Sequence, residues 1–295
     1  MLTKSATEGL FKLAQRAPFN IAPEKGELLA RDIFGPKKWT IQDGTGHANF
    51  EAIPSKAIII LPYSGLASLW CIAYAAFHIT DIASRAQRQT DFNSAQHIDI
   101  GKEFKQLNID GYVDFSKKLF LADSSWPSSL VQPNSSAALS TDEGKINNTF
   151  FGALSWIMLH EIAHVYHKDS ALVPSSISIA QEYKADEFAT NWILENAGSG
   201  LKREFRVLMI SVALCWLFLC ESVRGQGTTH PPTILRFREV VSKFNVRERS
   251  PGIENAFYLF KALLDPSGPA PKVDSPKEAF DEMCERLEDL YPVRA

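Results

Sequence analysis

The clearest chemistry in this 295-residue chain lies in the five residues His160-Glu161-Ile162-Ala163-His164. Residues four apart on a helix share a face, so His160 and His164 can hold one metal ion from adjacent turns. Glu161, about 100° further round, is placed to reach a water activated by that ion. Zinc (Zn2+) suits such a site, because imidazole binds it well and three protein ligands leave one position open. Bound zinc brings the pKa of water to about 7. A carboxylate such as Glu161 can then take the proton at neutral pH.

The run Phe150–Leu159 before the trio is almost wholly apolar, which predicts a helix buried on every side. Two histidines and a glutamate at its end are costly to bury without a partner, and a metal supplies one. A third protein ligand is then needed. His167 shares the face but lies roughly 10 Å of rise beyond His160, too far for one ion on a straight helix, so it reads as a flanking or supporting group. Ile179–Asn191 is the stronger source. Glu182 and Asp186 lie four apart on a predicted helix, and Ala185 beside them permits close helix approach. Alone, the pair would read as a solvated helix face. Following His164 after an intervening loop, it reads as a ligand, Glu182, with Asp186 accepting the spare N–H of a ligating histidine and fixing its tautomer. Downstream, Thr228-Thr229-His230-Pro231-Pro232 leads to Arg236. Either His230 or Arg236 is a donor suited to the oxyanion of amide hydrolysis, and the prolines also mark a helix start.

The rest of the chain must position these groups. Composition is that of an ordinary globular protein, with 45% apolar and 22% charged residues. The net charge of −3 gives no reason to expect nucleic acid or an anionic membrane as partner. Cys71, Cys215, Cys220 and Cys284 form no C-x-x-C pair, which fits a reducing, cytoplasmic setting and argues against a thiolate zinc site. The N-terminus lacks a secretory signal pattern; Leu2, Leu10, Phe11 and Leu13 predict a short amphipathic helix instead. Lys37–Asp43 and Ala48–Ile53 read as a hairpin with Phe50 and Ile53 inward, and His47 as a solvated turn residue. Ala57–Thr80 is apolar, but Pro62 and Gly65 divide it into a buried strand, Ile58–Leu61, and a helix from about Leu66 to Arg85 with His78 as a core or helix-end residue. Val207–Cys220 is shorter than the roughly 20 residues a bilayer needs and reads as a core helix. A strand pair is predicted around Ile98–Ile100 and Tyr112–Phe115, with His97 at the surface. Ala122–Asn134 reads as a loop serving as cleft wall or lid. The expected fold is α+β and mainly helical, with a small, mostly antiparallel sheet. An N-terminal region, 1–135, and a helical core, 136–295, are expected to form one compact unit.

HEIAH, EYKAD and THPPTILR in that order resemble the gluzincin clan of zinc metallopeptidases, specifically the HtpX-like and CAAX-processing type. The resemblance covers roughly Ser155–Val240. It implies a zincin-like core with zinc on His160, His164 and Glu182, Glu161 as base, Asp186 as support, and His230 and Arg236 at the oxyanion or substrate. HtpX-like enzymes are built on membrane spans that this sequence does not convincingly carry. In size and layout the chain is more similar to the Lit-type phage-exclusion peptidases. That likeness implies a cytoplasmic enzyme with a protein substrate, elongation factor Tu, and an activating peptide or protein. Two other readings remain open: a non-catalytic protein-binding module with a vestigial metal site, and a peripheral membrane protease. Intact Glu161 speaks against the first.

Overall fold

The computed structural model describes residues 5–35, 39–91, 99–170, 173–227 and 230–294. The described chain is mainly helical with one three-stranded sheet. Helices α1 (Ser5–Ala14) and α2 (Ala17–Ile21) lead through a single turn, α3 (Gly26–Leu28), and a π-helical stretch (Leu29–Phe34) into strands β1 (Thr40–Gly44), β2 (Glu51–Ile53) and β3 (Ile58–Pro62). The helices α4 (Tyr63–Asp91), α5 (Ile100–Gln106), α6 (Ile109–Leu121), α7 (Asp142–His167), α8 (Ser175–Leu194), α9 (Leu201–Arg224), α10 (Thr233–Ser242), α11 (Pro251–Leu264) and α12 (Pro276–Leu290) follow.

The sheet has the order β1-β3-β2, with β1 parallel and β2 antiparallel to β3. This corrects two expectations: β1 and β2 do not pair with each other, and the sheet is mixed. The tight connection lies one loop later than expected. Pro54–Lys56 forms a 3-10 turn and Ala57 takes a left-handed backbone (φ 53), which folds β2 directly onto β3. Gly44 lets β1 close on β3, since a Cβ there would collide with the Ile60 side chain. Phe50 is buried and Ile53 half-buried. Lys37 and Lys38, the start of the expected first strand, lie outside the described residues.

Helix α7 sits at the centre, packed on α2, α4, α8, α9 and strands β2 and β3. Thr141 caps it by accepting the Gly144 N–H at 3.1 Å, and Asp142 and Glu143 complement its dipole. Phe150, Leu154 and Leu159 are fully buried, each worth about 1.5–3 kcal/mol against exposure. The histidines at its far end therefore ride on a helix whose apolar half is anchored. One hydrophobic cluster runs from Ala6 in α1 to Leu287 in α12.

The strand pair expected around Ile98–Ile100 and Tyr112–Phe115 is absent among the described residues: Ile100 begins α5, and Tyr112–Phe115 lies within α6. Tyr112, Phe115, Leu119 and Phe120 are buried on one face of α6 against α4, a helical period that β-branched and aromatic residues obscured. Ile98 and His97 lie outside the described residues, as does Leu2 of the N-terminal helix; α1 buries Leu10. The 122–134 segment is a loop, but Trp126 pins it against Trp70 and Phe115 and it lines no part of the cleft described below. Residues Tyr63–Arg88 of α4 and all of α9 are long and apolar enough to cross a membrane, with 67% of each apolar window buried inside the protein. Helix α9 extends beyond Val207–Cys220 at both ends, so its 24 residues meet the length that this apolar stretch alone does not.

Candidate metal centre

Helices α7 and α8 run antiparallel in a fixed register, and that register builds the site. Trp156 Nε1 donates to Thr190 Oγ1 at 3.0 Å, His160 meets Asp186, and His164 meets Glu182. Each step of four along α7 matches a step of four back along α8, as two packed helix faces require. Ala185 and Ala189, both fully buried, allow the close approach.

His160 Nε2 and His164 Nε2 stand 3.1 Å apart, and the two oxygens of Glu182 lie 3.3 Å from the first and 3.4 Å from the second. One ligand atom from each of the three residues falls within 4.8 Å of the others. Their opposite ring nitrogens are already engaged. His160 Nδ1 lies 2.8 Å from Asp186 Oδ1, and His164 Nδ1 2.8 Å from Asp169 Oδ2. A histidine that donates through Nδ1 turns a lone pair outward at Nε2. Two such lone pairs and a carboxylate therefore converge, and buried Glu182 Oε2 finds no hydrogen-bond donor. A cation resolves that convergence. The separation of the two imidazole nitrogens is close to the edge of a tetrahedral zinc site, about 3.3 Å for ligands at 2.0–2.1 Å.

The electrostatics agree. Asp169, Glu161, Glu182 and Asp186 surround the imidazoles, while the guanidinium of Arg236 contacts Asp186 and Glu182. Burial opposes the charged form of His160, yet the carboxylates of Asp186 and Glu182 facing its two ring nitrogens prevail and push it up to about 10. Burial likewise opposes Glu182, but the two imidazoles and Arg236 hold its carboxyl below the usual range. Without a metal the site thus draws protons onto the histidines. Glu161 moves the other way: burial raises it above an ordinary carboxylate, against the pull of both histidines and the Ala52 N–H of β2.

Arg236 is buried one turn into α10. Its Nε and Nη2 hold both oxygens of Asp186 at 2.7 Å, leaving Nη1 4.0 Å from Glu182. It braces the carboxylate behind His160, a placement different from the oxyanion contact considered for it. His230 stands on the opposite rim, with its side chain 59% exposed and Nε2 3.5 Å from Glu182 Oε1. Thr228 and Thr229 lie outside the described residues. His167 is exposed and packs on Tyr166 and Phe188. Asp169 was missed from sequence. Lys168 ends α7 with a left-handed backbone (φ 57), and the Asp169 N–H then bonds the His164 carbonyl at 3.0 Å. This closing turn carries the carboxylate back to the His164 ring. An acidic residue just beyond the last helical position was the available signal.

A cleft of about 350 Å³ opens beside the cluster. Asn49 and Phe50 form one wall, Trp156 and Ile157 of α7 and Trp216 and Leu217 of α9 line its apolar part, and His160, Glu161, His230 and Arg236 share it.

The family model described as Peptidase U49 matches residues 59–256, which include all of these site residues from His160 to Arg236. A curated protein named cell death peptidase, from Escherichia coli (strain K12), is 28% identical over 247 residues, covering 80% of this chain and 81% of that protein. No solved structure matches the chain.

Proposed function

The chain belongs to the peptidase U49 family, and from that premise we propose that it is a zinc-dependent endopeptidase with a zincin-like core, hydrolysing a peptide bond in a protein substrate. The observation carrying this reading is the convergence of His160 Nε2, His164 Nε2 and Glu182, with no donor for Glu182 Oε2, beside a buried Glu161 at the cleft.

His160, His164 and Glu182 would hold the ion. When bound, it supplies Lewis acidity that acidifies water and polarises a carbonyl. Glu161, its carboxyl raised by burial and tied to the Ala52 N–H, accepts a proton and returns it to the leaving amine. His230 faces the cluster from the rim and donates to the developing oxyanion. Asp186, held by Arg236, and Asp169 keep the two ligating imidazoles in the Nδ1–H form. Strand β2, at the edge of the sheet, orients an extended peptide by main-chain pairing.

The relative's name, carried to this chain, suggests a peptidase connected with cell death. Elongation factor Tu, suggested by the resemblance noted above, is one substrate to examine within that class, and an activating peptide or protein is to be supplied in the same assay. The test compares zinc-loaded wild type with Glu161→Gln in a bacterial lysate, reading new protein N-termini by mass spectrometry. New termini with the wild type alone, at equal zinc content, are expected. Identical termini in both samples would remove Glu161 from the chemistry.

A further inference from the structure

His230 cannot be located by its own burial, because its side chain is mostly exposed. It sits between α9 and α10, and the described residues of that connection are held by two side chains outside the metal cluster. Glu221, in the last turn of α9, accepts the Thr233 N–H through Oε2 at 2.6 Å. Thr233 opens α10, and its N–H is one of the donors a helix start leaves unpaired; a carboxylate there also complements the helix dipole. The other Glu221 oxygen accepts the Gln226 amide at 3.1 Å.

Gln226 continues the chain of contacts away from the cleft. Its Nε2 also donates to the Pro292 carbonyl at 3.0 Å, and its Oε1 accepts the Arg294 N–H at 2.9 Å. Both ends of one side-chain amide are therefore spent on the backbone that follows α12. That backbone is itself anchored, because the Tyr291 ring packs on Phe218 of α9 at 4.8 Å. Glu221 and Gln226 both line the cleft that holds Glu161 and His230.

We propose that Glu221 and Gln226 are positioning residues that lash the His230 connection to residues 291–294, so that the segment after α12 sets where the His230 donor stands in the cleft. The inference rests on the peptidase reading above. An oxyanion donor is sensitive to such placement, since a displacement of about 1 Å can cost roughly a hundredfold in rate.

The test uses zinc-loaded full-length chain, Gln226→Ala, a chain lacking residues 292–295, and the two changes combined. The probe is a peptide phosphoramidate, whose tetrahedral anion needs the oxyanion donor, and zinc affinity is measured in parallel. Each single change should weaken phosphoramidate binding roughly tenfold or more and speed amide exchange at residues 225–227 and His230. Zinc affinity and exchange in α7 should stay unchanged. The combined variant should lose no more than either alone, because both cut the same connection. Unaltered phosphoramidate binding in Gln226→Ala, or losses that simply add, would overturn the inference. If the wild type binds zinc but no phosphoramidate, the peptidase reading itself falls and the positioning role goes with it.

Discussion

Helix α7, packed on α8, and the connection carrying His230 line the same cleft, and they are built by opposite means. On the helix side every position follows from register: Trp156, His160 and His164 on one helix meet Thr190, Asp186 and Glu182 on the other. All of these side chains but the partly buried His164 are buried, and their hydrogen bonds brace one another from Arg236 through Asp186 to His160. On the rim, His230 is exposed and depends on Glu221, Gln226 and residues after α12. Side chains buried between packed helices are placed by helix register, whereas a residue on a connecting segment takes its position from more distant contacts.

The contrast can be broken most strongly at Glu182. Glu182→Ala removes the anionic ligand and should abolish stoichiometric zinc binding, read by elemental analysis of the purified protein. Asp186→Ala tests the bracing behind His160. It strands the Arg236 cation in the interior, and losing one partner of a buried pair costs about 3–5 kcal/mol, measurable by denaturant unfolding. Asp169→Asn should be milder, weakening zinc roughly 10–100-fold in a competition titration with a chelating dye while the fold stays intact.

The pH dependence of the helix side follows from directions already described. Glu182 and Asp186 are held below their usual range. Their contribution to stability is present above the ordinary carboxylate pKa and is lost as pH falls. His160 is raised to about 10 from an ordinary 6.5. In the metal-free protein its contribution is full below about 6.5 and fades as pH climbs towards 10. Zinc needs the same Nε2 without its proton. The rise in melting temperature on adding zinc should therefore grow between pH 6 and pH 9, roughly. A zinc-induced shift that stayed flat or shrank over that interval would contradict ligation by His160. The smallest effect belongs to the rim, where Gln226→Ala should change global stability by no more than about 1 kcal/mol in the same denaturant assay, even as it disturbs the cleft.

Particular residues show what was readable in advance. His160, His164, Glu182 and Asp186 announced themselves because i, i+4 spacing is a one-dimensional statement of a helix face. The strand Ile58–Leu61 and the long helix after it were visible through Pro62 and Gly65. The helix α6 was misread as strand because Tyr112-Val-Asp-Phe115 has strand-like residue types, and only its packing against α4 decides for a helix. The pairing of β2 with β3 hung on a left-handed Ala57, a conformation an alanine does not advertise. Asp169 carried no sequence expectation and the contact of Arg236 with Asp186 was not foreseen, for the same reason: both placements come from where the chain turns back, not from spacing.

The sequence alone determined which face of each of the two helices carries the site residues and the chemistry each offers, because helical periodicity maps residue number directly onto direction. Only the tertiary structure decided that Arg236 lies behind His160, that Asp169 returns to His164, and that residues after α12 reach the His230 connection through Gln226. Those placements depend on the angles at which chain segments re-enter the core, and long-range packing, not any local pattern, sets such angles.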